Sequence, residues 1–172
     1  SNDYPFSLAT DLTGNVYVTG NSNGTTTIKY NTSGIQQWII NNNTFIANSM
    51  ATDQNGNVYV TGQFTNTVDF DLGAGVANLT SNGANDIFIA SYTSAGVYRW
   101  AVRAGGTGAD NNSPNGGICT DGVSVYVTGS YNGAATSFGG ISLTPNGGAG
   151  TDAFVAKLNC TNGAFTWAVS MG

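Results

Sequence analysis

The chain has no histidine and little charge of either sign. Its 172 residues carry four Lys plus Arg against nine acidic residues, a net charge of −5. So few cations cannot neutralise a run of phosphates, which excludes nucleic acid as a partner. An anionic membrane surface is excluded for the same reason. Without histidine, the chain also lacks the commonest general base near neutral pH and any Ser-His-Asp arrangement.

Long apolar runs are missing as well. No segment approaches the roughly 18 to 20 residues of a membrane span, so no membrane insertion is expected. No secretion signal is recognisable and the chain begins at Ser1, which favours a trimmed piece of a longer protein. Scarce Lys, abundant Asn, Thr and Gly, and an acidic pI of about 4.1 are typical of an extracellular or cell-surface protein.

The residues that are abundant favour strands over helices. Leu, Lys and Glu, which favour helices, are scarce or absent, whereas Gly alone contributes 25 residues. Val, Thr and aromatic residues favour short strands, and Gly and Asn favour the tight turns that join them. An all-β fold is therefore predicted.

One short segment, Val-Tyr-Val-Thr-Gly, occurs three times, and a tryptophan closes the unit that follows each copy. The copies are Gly14–Gly20, Gly56–Gly62 and, with a changed start, Ser124–Gly129, and the tryptophans are Trp38, Trp100 and Trp167. Self-similarity at this spacing is the signature of a repeat architecture. We predict a single propeller segment over 1–172, with units at about 7–48, 49–116 and 117–172.

Each unit is predicted to contain four antiparallel strands that are buried on both faces. Apolar residues do not alternate with polar ones in the segments Val58–Val60, Ile87–Ala90 and Ala153–Ala156. Sheets buried on both sides must stack face to face, and radial stacking of such sheets is a β-propeller. A β-sandwich is the alternative, although it does not naturally produce a repeated four-strand unit.

Three segments together resemble the bacterial β-propeller repeat known as SBBP, and are similar in phase to NHL-type repeats. They are Ser49–Gly62, Asp86–Tyr92 and Gly96–Ala101. The resemblance covers nearly the whole chain and implies a part of a large secreted or surface protein of bacteria. Asp69–Gly73 resembles an insert common in such repeats, where Pro often stands at the position of Leu72. The family has no agreed catalytic residues, so none is carried over.

Three blades are too few for a closed propeller, which typically has about four to eight. The chain is therefore expected to be a partial propeller. Either further blades come from the parent chain, or a homo-oligomer closes the ring.

The repeats differ most between their second and third strands, where inserts at 63–85 and 130–151 are each predicted to form a small hairpin. By strand order the inserts lie at the same end as the connections between blades. Loops held by a rigid scaffold are common binding sites, so a protein or glycan partner is expected at this loop face. The alternative is that the inserts only lengthen the blade edge and cover neighbouring strands.

Three insert aromatics, Phe64, Tyr131 and Phe138, are candidates for stacking on sugars, as is Phe70. Their recurrence at paired positions equally favours a packing role. Asp69 and Asp71 form a weak Ca²⁺ candidate, since two carboxylates fall short of the six to eight oxygen ligands that Ca²⁺ takes. No other metal and no cofactor is predicted.

The two cysteines, Cys119 and Cys160, fall on the first strand and after the third strand of the last unit. Ideal sheet geometry leaves one strand between them, about 10 Å, which is too far for a disulfide. A twisted or late-starting second strand would close that gap, so a bridge and two free thiols both stay open.

The leading hypothesis is a non-enzymatic extracellular structural or adhesive interaction module of a larger bacterial protein. One alternative is a carbohydrate-binding propeller that uses the inserts 63–85 and 130–151. Another is an accessory propeller of a secreted hydrolase. No enzyme is predicted, because glutamate is absent and a glycosidase centre of paired aspartates would need two that face each other across a cleft, whereas the Asp residues mostly repeat at turns.

Overall fold

The computed structural model describes residues 4–21, 25–110, 116–132, 136–145 and 150–171. These residues form sixteen strands and no helix, and therefore no helix long and apolar enough to cross a membrane. The strands are β1 (Tyr4–Thr10), β2 (Val16–Asn21), β3 (Thr25–Tyr30), β4 (Gln36–Asn42), β5 (Phe45–Thr52), β6 (Val58–Phe64), β7 (Thr67–Asp69), β8 (Asn78–Thr80), β9 (Asp86–Tyr92), β10 (Tyr98–Gly105), β11 (Ile118–Thr120), β12 (Ser124–Asn132), β13 (Thr136–Phe138), β14 (Ile141–Leu143), β15 (Thr151–Asn159) and β16 (Phe165–Ser170).

The three repeated units appear as three antiparallel sheets. Blade 1 has the strand order β1-β2-β3-β4, and blade 3 has the order β11-β12-β15-β16. Blade 2 consists of β5, β6, β9 and β10, with β13 and β14 added at its outer edge. The predicted all-β fold of four-stranded antiparallel blades is confirmed, as an open stack of three rather than a closed ring.

The first turn of every blade is held by an aspartate. Asp11 accepts hydrogen bonds from the backbone N–H groups of Thr13 and Asn15, both at 3.0 Å. The Tyr17 hydroxyl donates a further bond at 3.0 Å. Asp53 and Asp121 cap the corresponding turns of blades 2 and 3 in the same way. The aspartates that recur at turns in the sequence thus cap those turns.

The first strands of blades 1 and 2 begin earlier than the sequence predicted. The predicted units start at about 7 and 49, whereas β1 begins at Tyr4 and β5 at Phe45. The pairing register shifts between Pro5 and Ser7 and again between Ala47 and Ser49. A bulge changes which face each side chain takes, so the strand pattern in the sequence stops at the bulge while the pairing continues.

Two cores hold the stack together, one in each contact between blades. We call the side of a blade that faces the preceding blade its leading face, and the opposite side its trailing face. Val58 and Val60 of blade 2 belong to the core shared with blade 1, whereas Tyr59 between them belongs to the core shared with blade 3. All three are at most 3% exposed, which confirms the predicted burial on both faces.

The same prediction is wrong for blade 3. Phe154 and Ala156 are buried on the leading face, but Ala153 is exposed and Val155 is only half-buried. These two residues point toward the trailing face of blade 3, and in the described part of the chain no further blade covers it. The apolar run thus indicates a face able to pack, which the structure leaves open.

Candidate interaction surface

Both predicted insert hairpins form, but only the second pairs with a blade. The first, β7 with β8, is a separate two-stranded sheet. The second, β13 with β14, lies between β12 and β15 of blade 3 in sequence but pairs with β10 of blade 2. The second insert therefore lengthens the edge of a neighbouring blade and ties blades 2 and 3 together.

The insert aromatics are not exposed stacking platforms, and that interpretation is wrong. Phe64 is 2% exposed, and Phe70, Tyr131 and Phe138 are fully buried. Phe70 of the first insert and Phe138 of the second each lie in a hydrophobic core between blades.

The rings of the two inserts make matching contacts. The Phe70 ring lies 4.9 Å from that of Phe88, and the Phe138 ring lies 4.7 Å from that of Phe154. The edge contacts recur too, between Phe64 and Phe70 at 5.5 Å, and between Tyr131 and Phe138 at 6.5 Å. The paired recurrence in the sequence reflected this repeated packing.

Asp69 and Asp71 organise the connection between β7 and β8. Asp69 accepts hydrogen bonds from the N–H groups of Asp71 at 3.0 Å and Ala77 at 2.8 Å. Asp71 accepts one from the Gly73 N–H at 2.9 Å. Across the described ranges, no group of three or more His, Cys, Asp or Glu side chains comes together. The weak Ca²⁺ hypothesis thus gains no further carboxylate ligand.

Cys119 and Cys160 are both free thiols in this structure. Cys119 pairs with Tyr126 of β12, and Tyr126 pairs on its other side with Lys157 of β15. One strand therefore separates the two cysteines, as ideal geometry predicts. The Cys160 Sγ contacts the Gly122 carbonyl oxygen at 3.3 Å.

Two buried aspartates fasten the loop end of blade 2. Asp86 accepts hydrogen bonds at 2.9 Å from Arg103 and from the Asn82 N–H. Burial nevertheless raises the pKa of Asp86, and this outweighs the favourable hydrogen bonds and the Arg103 charge. Asp110, which the sequence analysis missed, accepts bonds from the N–H groups of Gly106 and Asn132. Asp110 follows a glycine-rich stretch, where no repeat or strand pattern in the sequence indicates its role.

A polar cleft of about 220 Å³ opens at the loop face of blade 2. Its lining includes Asn43, Thr44, Ile46, Gln63, Thr65 and Asn85. The Gln63 Oε1 atom is buried and accepts no hydrogen bond from the residues that the structure describes. The cleft thus carries amide and hydroxyl groups but no charged lining residue.

The trailing face of every blade carries the same cluster of a tyrosine, a tryptophan and a cation, which we call the tryptophan cluster. In blades 1, 2 and 3 the ring centroids of tyrosine and tryptophan lie 5.9, 6.0 and 6.4 Å apart. The cation lies 5.2, 5.8 and 5.5 Å from the tyrosine ring. The members are Tyr17, Trp38 and Lys29; Tyr59, Trp100 and Arg99; and Tyr126, Trp167 and Lys157.

In blades 1 and 2, a turn of the following blade packs on the tryptophan cluster. Trp38 Nε1 donates to the Ser94 carbonyl oxygen at 3.0 Å, and Trp100 Nε1 donates to that of Cys160 at 3.0 Å. A glycine of the same turn lies against each indole. A Cβ atom on Gly163 would stand 2.5 Å from the Trp100 ring, and one on Gly96 would stand 3.4 Å from that of Trp38.

The comparison with protein families agrees with this architecture. One family model, described as a beta-propeller repeat (SBBP), matches residues 1–25 and 34–63. Over these residues the chain is similar to SBBP-type β-propeller repeat proteins. The matched segments cover β1 and β2 and then run from the turn before β4 through most of β6. Such repeats typically build structural and binding modules. No curated protein matches the chain.

Proposed function

We propose that the protein is a non-enzymatic structural and adhesive interaction module of a larger secreted or cell-surface bacterial protein. The observation that carries this proposal is the contrast between the repeated scaffold and the inserts. The blades share turns, cores and tryptophan clusters, whereas the inserts differ in sequence and lie at the loop face. Recognition on variable loops clamped to a rigid scaffold is a common arrangement.

The first insert presents an apolar tip for a protein partner. Leu72 and Val76, in the connection between β7 and β8, are 37% and 75% exposed. Below the tip, the buried Phe70 anchors the connection, because its carbonyl oxygen accepts a bond from the Tyr92 hydroxyl at 3.1 Å. Exposed apolar side chains on an ordered connection can bury surface on binding at a small cost in entropy.

The carboxylates support a non-enzymatic role. Asp11, Asp53 and Asp121 accept bonds from turn N–H groups, and Asp86 and Asp110 are held inside the loop end. A glycosidase centre needs two carboxyl groups that face each other across a cleft. All five instead accept hydrogen bonds from turns and loops of the protein itself.

Adhesion of chain-coated beads to bacterial envelope fractions tests this function. The Leu72→Ser/Val76→Ser variant removes the apolar tip. Val97→Ser is the matched control, since Val97 is 61% exposed in a turn at the opposite end of the same blade. We expect strong adhesion that the tip variant loses, the control keeps, and protease treatment of the envelope abolishes. Adhesion no greater than that of uncoated beads would contradict the proposal.

Carbohydrate binding is a second candidate, favoured by the polar cleft rather than by the buried aromatics. Amide and hydroxyl groups at Asn43, Thr44 and Gln63 match the hydrogen bonding of sugar hydroxyl groups. A glycan array of the native chain and of Asn43→Ala tests this candidate. Binding that Asn43→Ala loses and Val97→Ser keeps supports it, and an array without binding rules it out.

A further inference from the structure

The stack has two open faces, and each resembles one half of the contacts already made inside the chain. Among the residues that the structure describes, no turn covers the tryptophan cluster on the trailing face of blade 3, and no tryptophan lies against the turn on the leading face of blade 1. We infer that two copies of this chain associate head to tail, so that each third blade packs on the first blade of the other copy.

The open trailing face is built like the covered ones. Trp167 is 37% exposed, whereas Trp100 at the equivalent place is 6% exposed. Val169, next to it on the same face, is 47% exposed. The Tyr126 ring and the Lys157 ammonium already hold the arrangement found in the covered clusters. This cluster is therefore assembled before any partner arrives.

The open leading face carries an apolar row across all four strands. Its members are register partners: Leu8 with Val18, Val18 with Ile28, and Ile28 with Ile39. Leu8 is 69% exposed and Ile39 is 44% exposed. The equivalent rows of the other blades, which are Met50–Val60–Ala90–Ala101 and Ile118–Val127–Ala156–Ala168, pack into the two cores.

The free turn of blade 1 has the backbone pattern of the turn that Trp38 recognises. Asn31 N–H donates to the Ile35 carbonyl at 2.9 Å, and Gly34 N–H donates to that of Asn31 at 2.9 Å. The turn Thr93–Val97 makes the same two bonds. By this match, the Thr32 carbonyl corresponds to that of Ser94. Gly34 has no atom within 4 Å of a Cβ position, whereas its counterpart Gly96 lies on an indole.

Two side chains of the leading row are larger than their counterparts in blade 2. Ile28 and Ile39 stand where blade 2 has Ala90 and Ala101. A concavity of about 410 Å³ lies at the loop end of blade 3 and is lined in part by Thr128, Ala153 and Met171. Blade 3 thus has unfilled space at its loop end, and the two larger side chains require some adjustment of the trailing face on contact.

A head-to-tail contact uses two different patches, so it gives either a closed ring or an open filament. Two copies place six blades in one ring, which falls within the four to eight of known propellers. A second copy fits both faces, because the free turn of blade 1 has the backbone pattern that Trp38 recognises and the open cluster of blade 3 has the arrangement of the covered ones.

Light scattering after size exclusion measures the assembly directly. The chain has a mass of 17.6 kDa, and we expect a species of twice that mass from micromolar to near-millimolar concentration. Val18→Asp on the leading face and Val169→Asp on the trailing face are each expected to give the single-chain mass. Val76→Ser, at the insert tip, is the control that keeps the double mass.

Mixing the two monomeric variants separates a head-to-tail contact from a symmetric one. The mixture retains one native pair of faces, Val18 of the Val169→Asp chain and Val169 of the Val18→Asp chain. We expect this pair to restore a two-chain species, which also shows that both variants fold. A native chain that stays at the single mass, or a mixture that stays monomeric, overturns the inference. Loop-face adhesion is measured separately, so either proposal can fail alone.

Discussion

Blades 1 and 2 contain the same strand motif, Val-Tyr-Val-Thr-Gly, in different surroundings. Val18 in β2 and Val60 in β6 have the same place in the motif and pair with equivalent partners, Leu8 and Met50. Val60 is 3% exposed, whereas Val18 is only half-buried beside an open concavity of about 200 Å³. The motif thus determines the strand and its register, but position in the stack determines how much of it is buried.

A charge at the two equivalent valines gives the largest expected difference. Val60→Asp puts a carboxylate into a dry core without a partner, and we expect no cooperative unfolding transition. Val18→Asp puts it on an open face, so we expect a native far-ultraviolet spectrum and a cooperative transition in a monomer. Circular dichroism with thermal denaturation distinguishes the two. Equal loss of structure in both variants would contradict the role of stack position.

Removing the indoles of Trp100 and Trp167 compares a covered tryptophan cluster with an open one. Trp100→Ala removes a ring that packs on the next blade, with an expected loss of about 3 kcal/mol or more in the free energy of unfolding. Trp167→Ala removes an exposed ring and should cost less than about 1 kcal/mol. Both variants are made in the monomeric Val18→Asp chain and measured by urea denaturation. Equal losses in the free energy of unfolding would show that the turn covering Trp100 does not stabilise the fold.

The turn glycines separate backbone strain from steric contact. Gly34 and Gly163 both have positive φ, at 74° and 72°. Gly34→Ala should cost only the backbone term of about 1 kcal/mol, since nothing lies near its Cβ. Gly163→Ala should cost more, because the new Cβ would press on the Trp100 ring. Urea denaturation in the same monomeric chain measures the difference, and a larger cost at Gly34 would contradict the packing described.

The smallest expected effect concerns pH and compares a turn cap of blade 1 with a buried carboxylate of blade 2. Burial acts to raise the pKa of Asp11, but hydrogen bonds from Asn15, Thr13 and Tyr17 outweigh it and hold the pKa well below its usual value. A lowered folded-state pKa contributes stability at neutral pH that is lost as pH falls below the ordinary range. The raised pKa of Asp86 acts in the opposite sense, since its contribution weakens as pH rises from the ordinary value.

Urea midpoints measured from neutral pH to about pH 3 test this assignment. Asp11→Asn should be less stable than the native chain at neutral pH and should lose less stability on acidification. If the urea midpoint of Asp11→Asn fell with pH as steeply as that of the native chain, Asp11 would not stabilise the fold through its lowered pKa.

The strands, turns and hairpins could be predicted because each is specified by neighbouring residues. Asp53, Gly56 and the consecutive apolar residues Val58–Val60 define a turn and a strand without reference to the rest of the chain. The direction of the insert aromatics could not be predicted this way. Phe138 in an exposed loop and Phe138 folded onto Phe154 have the same local sequence, and only the packed fold distinguishes them.

Strand pairing between units could not be predicted from local sequence either. The joining of β13 to β10 links residues more than thirty positions apart and belongs to two different repeats. The exposure of Trp167 could not be predicted for a related reason. Its own unit matches the other two, and the difference is that no further blade in the described part of the chain covers it. Local sequence therefore predicted the blades, and the contacts among blades required the structure.

Hydrogen exchange of the equivalent strands β2, β6 and β12 in the native chain tests the account most directly. Mass spectrometry at low and high chain concentration reads the three strands in one experiment. We predict that β6 exchanges slowest at both concentrations, and that β2 and β12 become more protected as concentration rises and their open faces are covered. Equal exchange of the three strands, unchanged by concentration, would contradict the claim that stack position determines burial.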